Sequence, residues 1–117
     1  MTRVLVCGGR DFNDEELVFA TLDALNKERR VSAIIQGFAS GADDLARMWG
    51  YEHRDCEVLS FVAEWGRHGK AAGPIRNTRM IEEGKPDLVI AFPGGRGTAN
   101  MVAQARAAGI EVIEVTK

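Results

Sequence analysis

"DLVIAFPGGRGTANMVAQARAAGIEVIEV", Asp87 to Val115, reads as a strand, a glycine-rich turn, a helix and a second strand. "DLVIAF" and "EVIEV" are short runs rich in branched apolar residues, the mark of strands in a parallel sheet covered on both faces. Between them, Gly94, Gly95 and Gly97 let backbone amides approach an anion closely, and Thr98 adds a hydroxyl where the helix begins. The helix start contributes unpaired N–H groups and the positive end of its dipole. Pro93 through Thr98 is therefore expected to hold a phosphate or another anion; the rival reading is a sharp turn with Arg96 as a solvated charge.

The same grammar extends toward the N-terminus. "RVLVC", Arg3 to Cys7, reads as the first strand and leads through "GGRDFND" into a helix from about Asp14 to Arg30. Asn13 is expected to cap that helix, with Glu16 completing a capping box and Phe12 and Leu17 at the spacing of a hydrophobic staple. "VSAIIQ" is the second strand. "GFASGADDLARMWGYEHR" supplies the second helix, with Ser40 as expected N-cap, Asp43 at its third position, and Leu45, Met48 and Trp49 on one apolar face. "CEVLSF" makes a third strand, and "VAEWGRHGKAAGP" follows neither period. A loop of that length in a compact domain points to function or disorder. "IRNTRMIEEG" is then a helix, with Pro74 placed to begin it and Gly84 to end it.

Five apolar runs alternating with four helical patterns predict an α/β fold: a three-layer, Rossmann-like parallel sheet of five strands in the order 3-2-1-4-5. At 117 residues the chain is expected to form one domain over residues 1–117. This order puts strand 1 beside strand 4. Their outgoing loops, "CGGRDF" and "FPGGRGT", then flank the switch point, where a crevice opens beyond the strand ends. Two separate glycine-rich loops are predicted to meet in one place.

Composition narrows the partners. A formal charge of -2, with 27% charged and 7% aromatic residues, argues against a nucleic-acid partner, though not against a local basic patch. No apolar run approaches the roughly 20 residues needed to cross a bilayer, and the start lacks a signal-peptide pattern, so no membrane is expected and the cytoplasm is the expected compartment. Cys7 and Cys56 form no CxxC pair, and Cys7 reads as a buried thiol. His53 and His68 lie apart, without HExxH or zinc spacing, so no metal and no cofactor are expected. There is no GxSxG elbow, no full GxGxxG and no GxxxxGK[ST]. No catalytic residue is assigned.

The candidate ligand residues cluster on one predicted edge. Gly8, Gly9 and Arg10 leave strand 1, and Pro93, Gly94, Gly95, Arg96, Gly97 and Thr98 leave strand 4. Ser40, Gly41 and Asp43 follow strand 2 and are placed to approach a ribose or another polar ligand, although capping alone explains Ser40 and Asp43. Arg76, Asn77 and Arg79 lie in the first turns of their helix; the two arginines are three residues apart, share a face, and are expected to hold an anion together. Lys70 is a looser candidate. Trp65 either anchors the long loop or stacks on a base, and that loop is the expected source of specificity.

"RVLVCGGRDF", "GFASGADDLARMW", "EWGRHGKAAGPIRNTRM" and "KPDLVIAFPGGRGTANM" resemble, in this order, the motifs of the YspA-like branch of the SMF/DprA-LOG (SLOG) superfamily. The resemblance spans nearly the whole chain and implies a Rossmann-like fold that senses or processes nucleotide-derived ligands. It also resembles the LOG phosphoribohydrolases, which cleave the N-glycosidic bond of cytokinin nucleoside monophosphates and carry PGGxGTxxE. That resemblance places phosphate on Gly94, Gly95, Gly97 and Thr98, matches Arg76 to the LOG helix arginine, and puts Met101 where the family has its glutamate. A methionine carries no charge and moves no proton.

The reading that follows is a module that binds or senses a nucleotide or nucleotide derivative, with the base and phosphate number open as far as an ADP-ribose-like ligand. The alternatives are a LOG-like N-glycoside hydrolase, whose carboxylate would have to come from Asp11, Asp43 or Asp44, and a DprA-like single-stranded DNA-binding module, suggested by the similarity of "GFASGADDLA" to SGxAxGxD. A homodimer is expected, as in related superfamily members.

Overall fold

The computed structural model describes residues 1–116. Its strands are β1 (Thr2–Cys7), β2 (Val31–Gln36), β3 (Glu57–Ser60), β4 (Leu88–Ala91) and β5 (Glu111–Glu114). The helices are α1 (Glu15–Glu28), α2 (Ala42–Tyr51), α3 (Trp65–His68), α4 (Ala72–Gly84) and α5 (Arg96–Ala107). All strands are parallel and lie in the order β3-β2-β1-β4-β5, with β1 flanked by β2 and β4. This is the predicted α/β Rossmann-like sheet.

Unbroken apolar strands follow from the layering. On one face Val18 and Leu22 of α1 and Ala46 and Trp49 of α2 pack on Val4, Val6, Ile34, Leu88 and Ile90. On the other, Met80 of α4 and Met101, Val102 and Ala105 of α5 pack on Leu5, Cys7, Ile35, Val89 and Ala91. Alternate residues of β1 and β4 thus enter different cores, and both faces of these central strands are lined by apolar side chains. The edge strands β3 and β5 are mostly exposed, and Glu57, Glu111 and Glu114 put charge on those edges.

Local chemistry departs from the sequence reading in four places. Asp14, not Asn13, caps α1, its Oδ1 accepting the Leu17 amide at 3.1 Å. At α2 the N-cap is Gly41 rather than Ser40. Gly41 has φ +77°, and a Cβ there would collide with the Gly9 carbonyl and lie 2.6 Å from the Arg10 carbonyl carbon, so glycine alone fits. Ser40 instead donates its hydroxyl to the Arg10 carbonyl at 3.1 Å.

The buried stripe of α2 runs through Ala42, Ala46 and Trp49, while Met48 is 40% exposed. Alanines on the inner face bring this helix close to the sheet and turn Met48 outward. Finally, the segment expected as irregular loop contains α3 and one 3-10 turn at Gly69–Ala71, and α4 begins at Ala72, two residues before Pro74. Proline is tolerated there because first-turn amides have no intrahelical acceptor.

Candidate functional site

The turns that leave β1 and β4 are in direct contact. Gly9 donates its amide to the Pro93 carbonyl at 2.8 Å, and Phe92 donates to Cys7 at 2.9 Å. A side chain at Gly94 would strike the Thr98 hydroxyl and come within 2.7 Å of the Gly9 nitrogen, so the two turns dock only because residue 94 has none. The Gly9 carbonyl accepts the amides of Phe12 and Ala42, each at 3.2 Å, tying the β1 turn to the start of α2. Beneath both turns the Phe12 and Phe92 rings meet at 5.4 Å.

Above this seam, at the carboxyl ends of β1 and β4, lies a cavity of about 740 Å³. Gly8, Gly9, Arg10, Asp43, Arg76, Asn77 and the six residues Pro93, Gly94, Gly95, Arg96, Gly97 and Thr98 line it, with Trp65 and Lys70. Ser40, Gly41 and Arg79 do not. Ser40 and Gly41 support the Arg10 backbone, as described above. Arg79 turns away, donating to Glu83 at 3.1 Å and lying over the Phe61 ring at 5.5 Å, so the expected pairing of Arg76 with Arg79 around one anion is not formed. Their 60° offset around α4 sends one guanidinium inward and the other to the surface.

Arg76 is held from two sides. Its Nη1 donates to the Gly37 carbonyl at 2.7 Å and its Nε to Asn77 Oδ1 at 3.0 Å. Asn77, 3% exposed, donates in turn to the Gly97 carbonyl at 3.2 Å and to Asn100 Oδ1 at 3.1 Å. One amide side chain therefore orients the arginine and braces the first turn of α5. Asn100, Phe12, Cys7 and Met80 also line the cavity, none of them marked by the sequence patterns as ligand candidates; of the carboxylates the hydrolase alternative requires, Asp11 and Asp43 line it and Asp44 does not.

The α5 turn leaves its amides open. Gly95 is the N-cap and offers no side-chain cap, and a Cβ at Gly95 or Gly97 would meet nothing within 4 Å. Arg10, Lys70, Arg76 and Arg96 outnumber Asp11 and Asp43 around the space, so the field favours an anion. Arg10 lies over the Trp65 ring at 5.2 Å, which places both at the rim.

Burial shapes the titrating groups. Desolvation pushes the Asp43 carboxyl up to about 6, against the opposing pull of the Ala39 amide, Arg76, the Gly37 amide and Arg47. Burial lowers Arg76 from its ordinary value, which Asp43 opposes and Arg10 reinforces. The Cys7 thiol is pushed up to about 12 by burial and then by Asp43, so it stays neutral and is a poor nucleophile.

Residues 2–68 match the family model described as YAcAr, the YspA, cpYpsA-related SLOG family. The chain belongs to the YspA-like SLOG family. It is also 38% identical over 121 residues to the Gene 61 protein of Mycobacterium phage D29, across 97% of this chain and 95% of that one. The region matched by the SLOG family model contains the β1 turn and Asp43, whereas Arg76 and the α5 turn lie beyond it. Met101, the residue that the LOG resemblance aligns with that family's glutamate, is 1% exposed and packed in the α4/α5 core of this SLOG protein. It does not line the cavity. No helix among the described residues is long and apolar enough to cross a membrane.

Proposed function

We propose that this protein binds a nucleotide-derived, phosphate-bearing ligand in the crevice above β1 and β4 and acts as a sensor of it. The observation that carries this reading is the meeting of two glycine-rich turns at one cavity, with the amides of the α5 first turn uncapped and four cationic side chains around them. Phosphate sits on Gly95, Arg96, Gly97 and Thr98, where the helix dipole and amides favour an anion. Arg76 supplies a charged donor already fixed in place, and the remaining volume, within the usual range of roughly 300–1,000 Å³ for small-molecule sites, holds the sugar and base.

Sensing is favoured over LOG-like hydrolysis because the residue at the LOG glutamate position is an apolar core side chain. An ADP-ribose-like ligand fits the size and the surplus of cations, as does a mononucleotide. The test is mass spectrometry of small molecules released from the purified protein, with calorimetry and product analysis against AMP, ADP and ADP-ribose. Retention of an unchanged nucleotide supports sensing. Release of free base and a ribose phosphate makes the protein a hydrolase, and failure to bind any phosphorylated compound overturns the site.

A further inference from the structure

Asp43 sits in the wall of the crevice with one carboxylate oxygen committed and the other free. Its Oδ2 accepts the Gly37 amide at 3.1 Å and the Ala39 amide at 3.3 Å, which fixes the plane of the group. Its Oδ1 accepts no hydrogen bond among the described residues. That oxygen is not sealed in the protein either: among the described residues the side-chain polar atom both fully buried and unpartnered is Arg29 Nε, away from this cavity. The residue is 7% exposed and lines the cavity, so the free oxygen faces the ligand space.

Arg76 stands beside it. A Cβ at Gly37 would lie 2.5 Å from Arg76 Nη1 and 3.0 Å from Asp43 Oδ2, so carboxylate and guanidinium flank the same glycine. Arg76 spends Nη1 on the Gly37 carbonyl and Nε on Asn77, and its Nη2 makes no hydrogen bond among the described residues. The wall thus presents a strong acceptor next to a strong donor. A phosphate is repelled by the acceptor, and an ammonium by the surrounding arginines and Lys70. Neutral hydroxyls satisfy both, because each can donate to the carboxylate and accept from the guanidinium.

We propose that Asp43 and Arg76 form a sugar-diol recognition pair, which makes the ligand a ribonucleotide derivative and sets Asp43 as the residue that rejects deoxyribose. The inference rests on the phosphate placement proposed above. With phosphate on the α5 turn, the ribose crosses the crevice and lays its 2′ and 3′ hydroxyls on this pair. Sites that hydrogen-bond a hydroxyl discriminate strongly against analogues lacking it, because their buried polar groups are left unpaired.

Calorimetric titration of the full chain with AMP, 2′-deoxy-AMP and 3′-deoxy-AMP tests it, alongside ribose 5-phosphate and 2-deoxyribose 5-phosphate. Wild type is expected to favour the ribo compounds by about tenfold or more. In Asp43→Ala that preference should fall to about twofold or less. Asp43→Asn keeps an oxygen for the Gly37 and Ala39 amides but turns an NH₂ to the cavity, replacing the acceptor by a donor; the preference should fall there too. Should the alanine variant fail to fold, the ligand series on wild type still decides the matter. Equal binding of ribo and deoxy compounds overturns the diol pair and leaves the phosphate site standing, while no binding by any of the five, nor by ADP or ADP-ribose, overturns both.

Discussion

Arg76, on α4, reaches back to the Gly37 carbonyl just past the end of β2 and donates to it at 2.7 Å. The guanidinium is therefore held in place before any ligand arrives, and binding loses little side-chain entropy in using it. Arg76→Ala should weaken binding of a phosphorylated ligand by about 1.5–3 kcal/mol, the usual worth of hydrogen bonds to charged groups. Arg76→Lys should not restore it, since a lysine cannot bond Gly37 and Asn77 together with a ligand. Calorimetry on both variants checks this, and full affinity in the lysine variant would show that only charge matters.

Asn77 joins the site to the fold. Its side chain makes bonds to Arg76, Gly97 and Asn100 at 3% exposure, so Asn77→Ala removes three part-buried hydrogen bonds that tie two helices together and leaves a hole in their seam. Unfolding in urea should show a loss of about 2–3 kcal/mol. A loss below about 0.5 kcal/mol would mean that water or rearranged partners replace the amide fully.

Adjacent glycines of the α5 turn should behave differently. At Gly94 a side chain meets Thr98 and the Gly9 backbone, so Gly94→Val should separate the two turns and lower the melting temperature by several degrees, the shift that about 1–2 kcal/mol produces in a domain of this size. At Gly95 a side chain points into open space, so Gly95→Val should fold normally and lose ligand affinity because the ligand, not the protein, occupies that space. Thermal melts paired with binding separate the two cases; a Gly95→Val protein that folds and binds like wild type would remove the phosphate from this turn.

The strand order was legible because β1, β2 and β4 carry few polar residues and two glycine-rich turns follow β1 and β4. What sequence could not supply was set by contacts distant in the chain. Asn13 and Asp14 are both good caps, and only the geometry chooses between them. Ser40 has the right chemistry for a cap, but the Gly9 carbonyl, 31 residues earlier, approaches so closely that Gly41 takes the position. Spacing alone put Arg79 with Arg76, while Glu83 and Phe61 draw it to the surface. The reach of Asn77 to Gly97 and Asn100 crosses between helices and leaves no local signal.

Met101 offers a direct test of how far the LOG resemblance extends. Its side chain fills the core with Met80, Val89 and Ala105, so Met101→Glu buries a carboxylate among apolar groups instead of adding one to the crevice. The variant should lose at least about 3 kcal/mol of stability or fold with that carboxyl protonated, and should gain no hydrolysis of nucleoside monophosphates. A stable Met101→Glu protein that releases free base would show that α5 can rotate to present this position to the ligand.

Stability should carry the signature of Asp43. Its folded-state value of about 6 lies above the ordinary 3.8, chiefly through burial, with Arg76, Arg47 and the Gly37 and Ala39 amides pulling the other way and Cys7 neutral throughout this range. Because the folded protein holds this proton more tightly, the contribution of the group to stability rises as pH falls through about 6 and is complete below 3.8. Above pH 6 the buried anion opposes folding by up to about 3 kcal/mol. Asp43→Asn removes this dependence while keeping an oxygen on the two amides. Urea unfolding of both proteins at pH 7.5 and pH 5 should therefore show wild type gaining about 1 kcal/mol relative to the variant at the lower pH. Parallel pH profiles would mean that Asp43 is ionised in the folded state at pH 5, and hence far better solvated or paired than its burial implies.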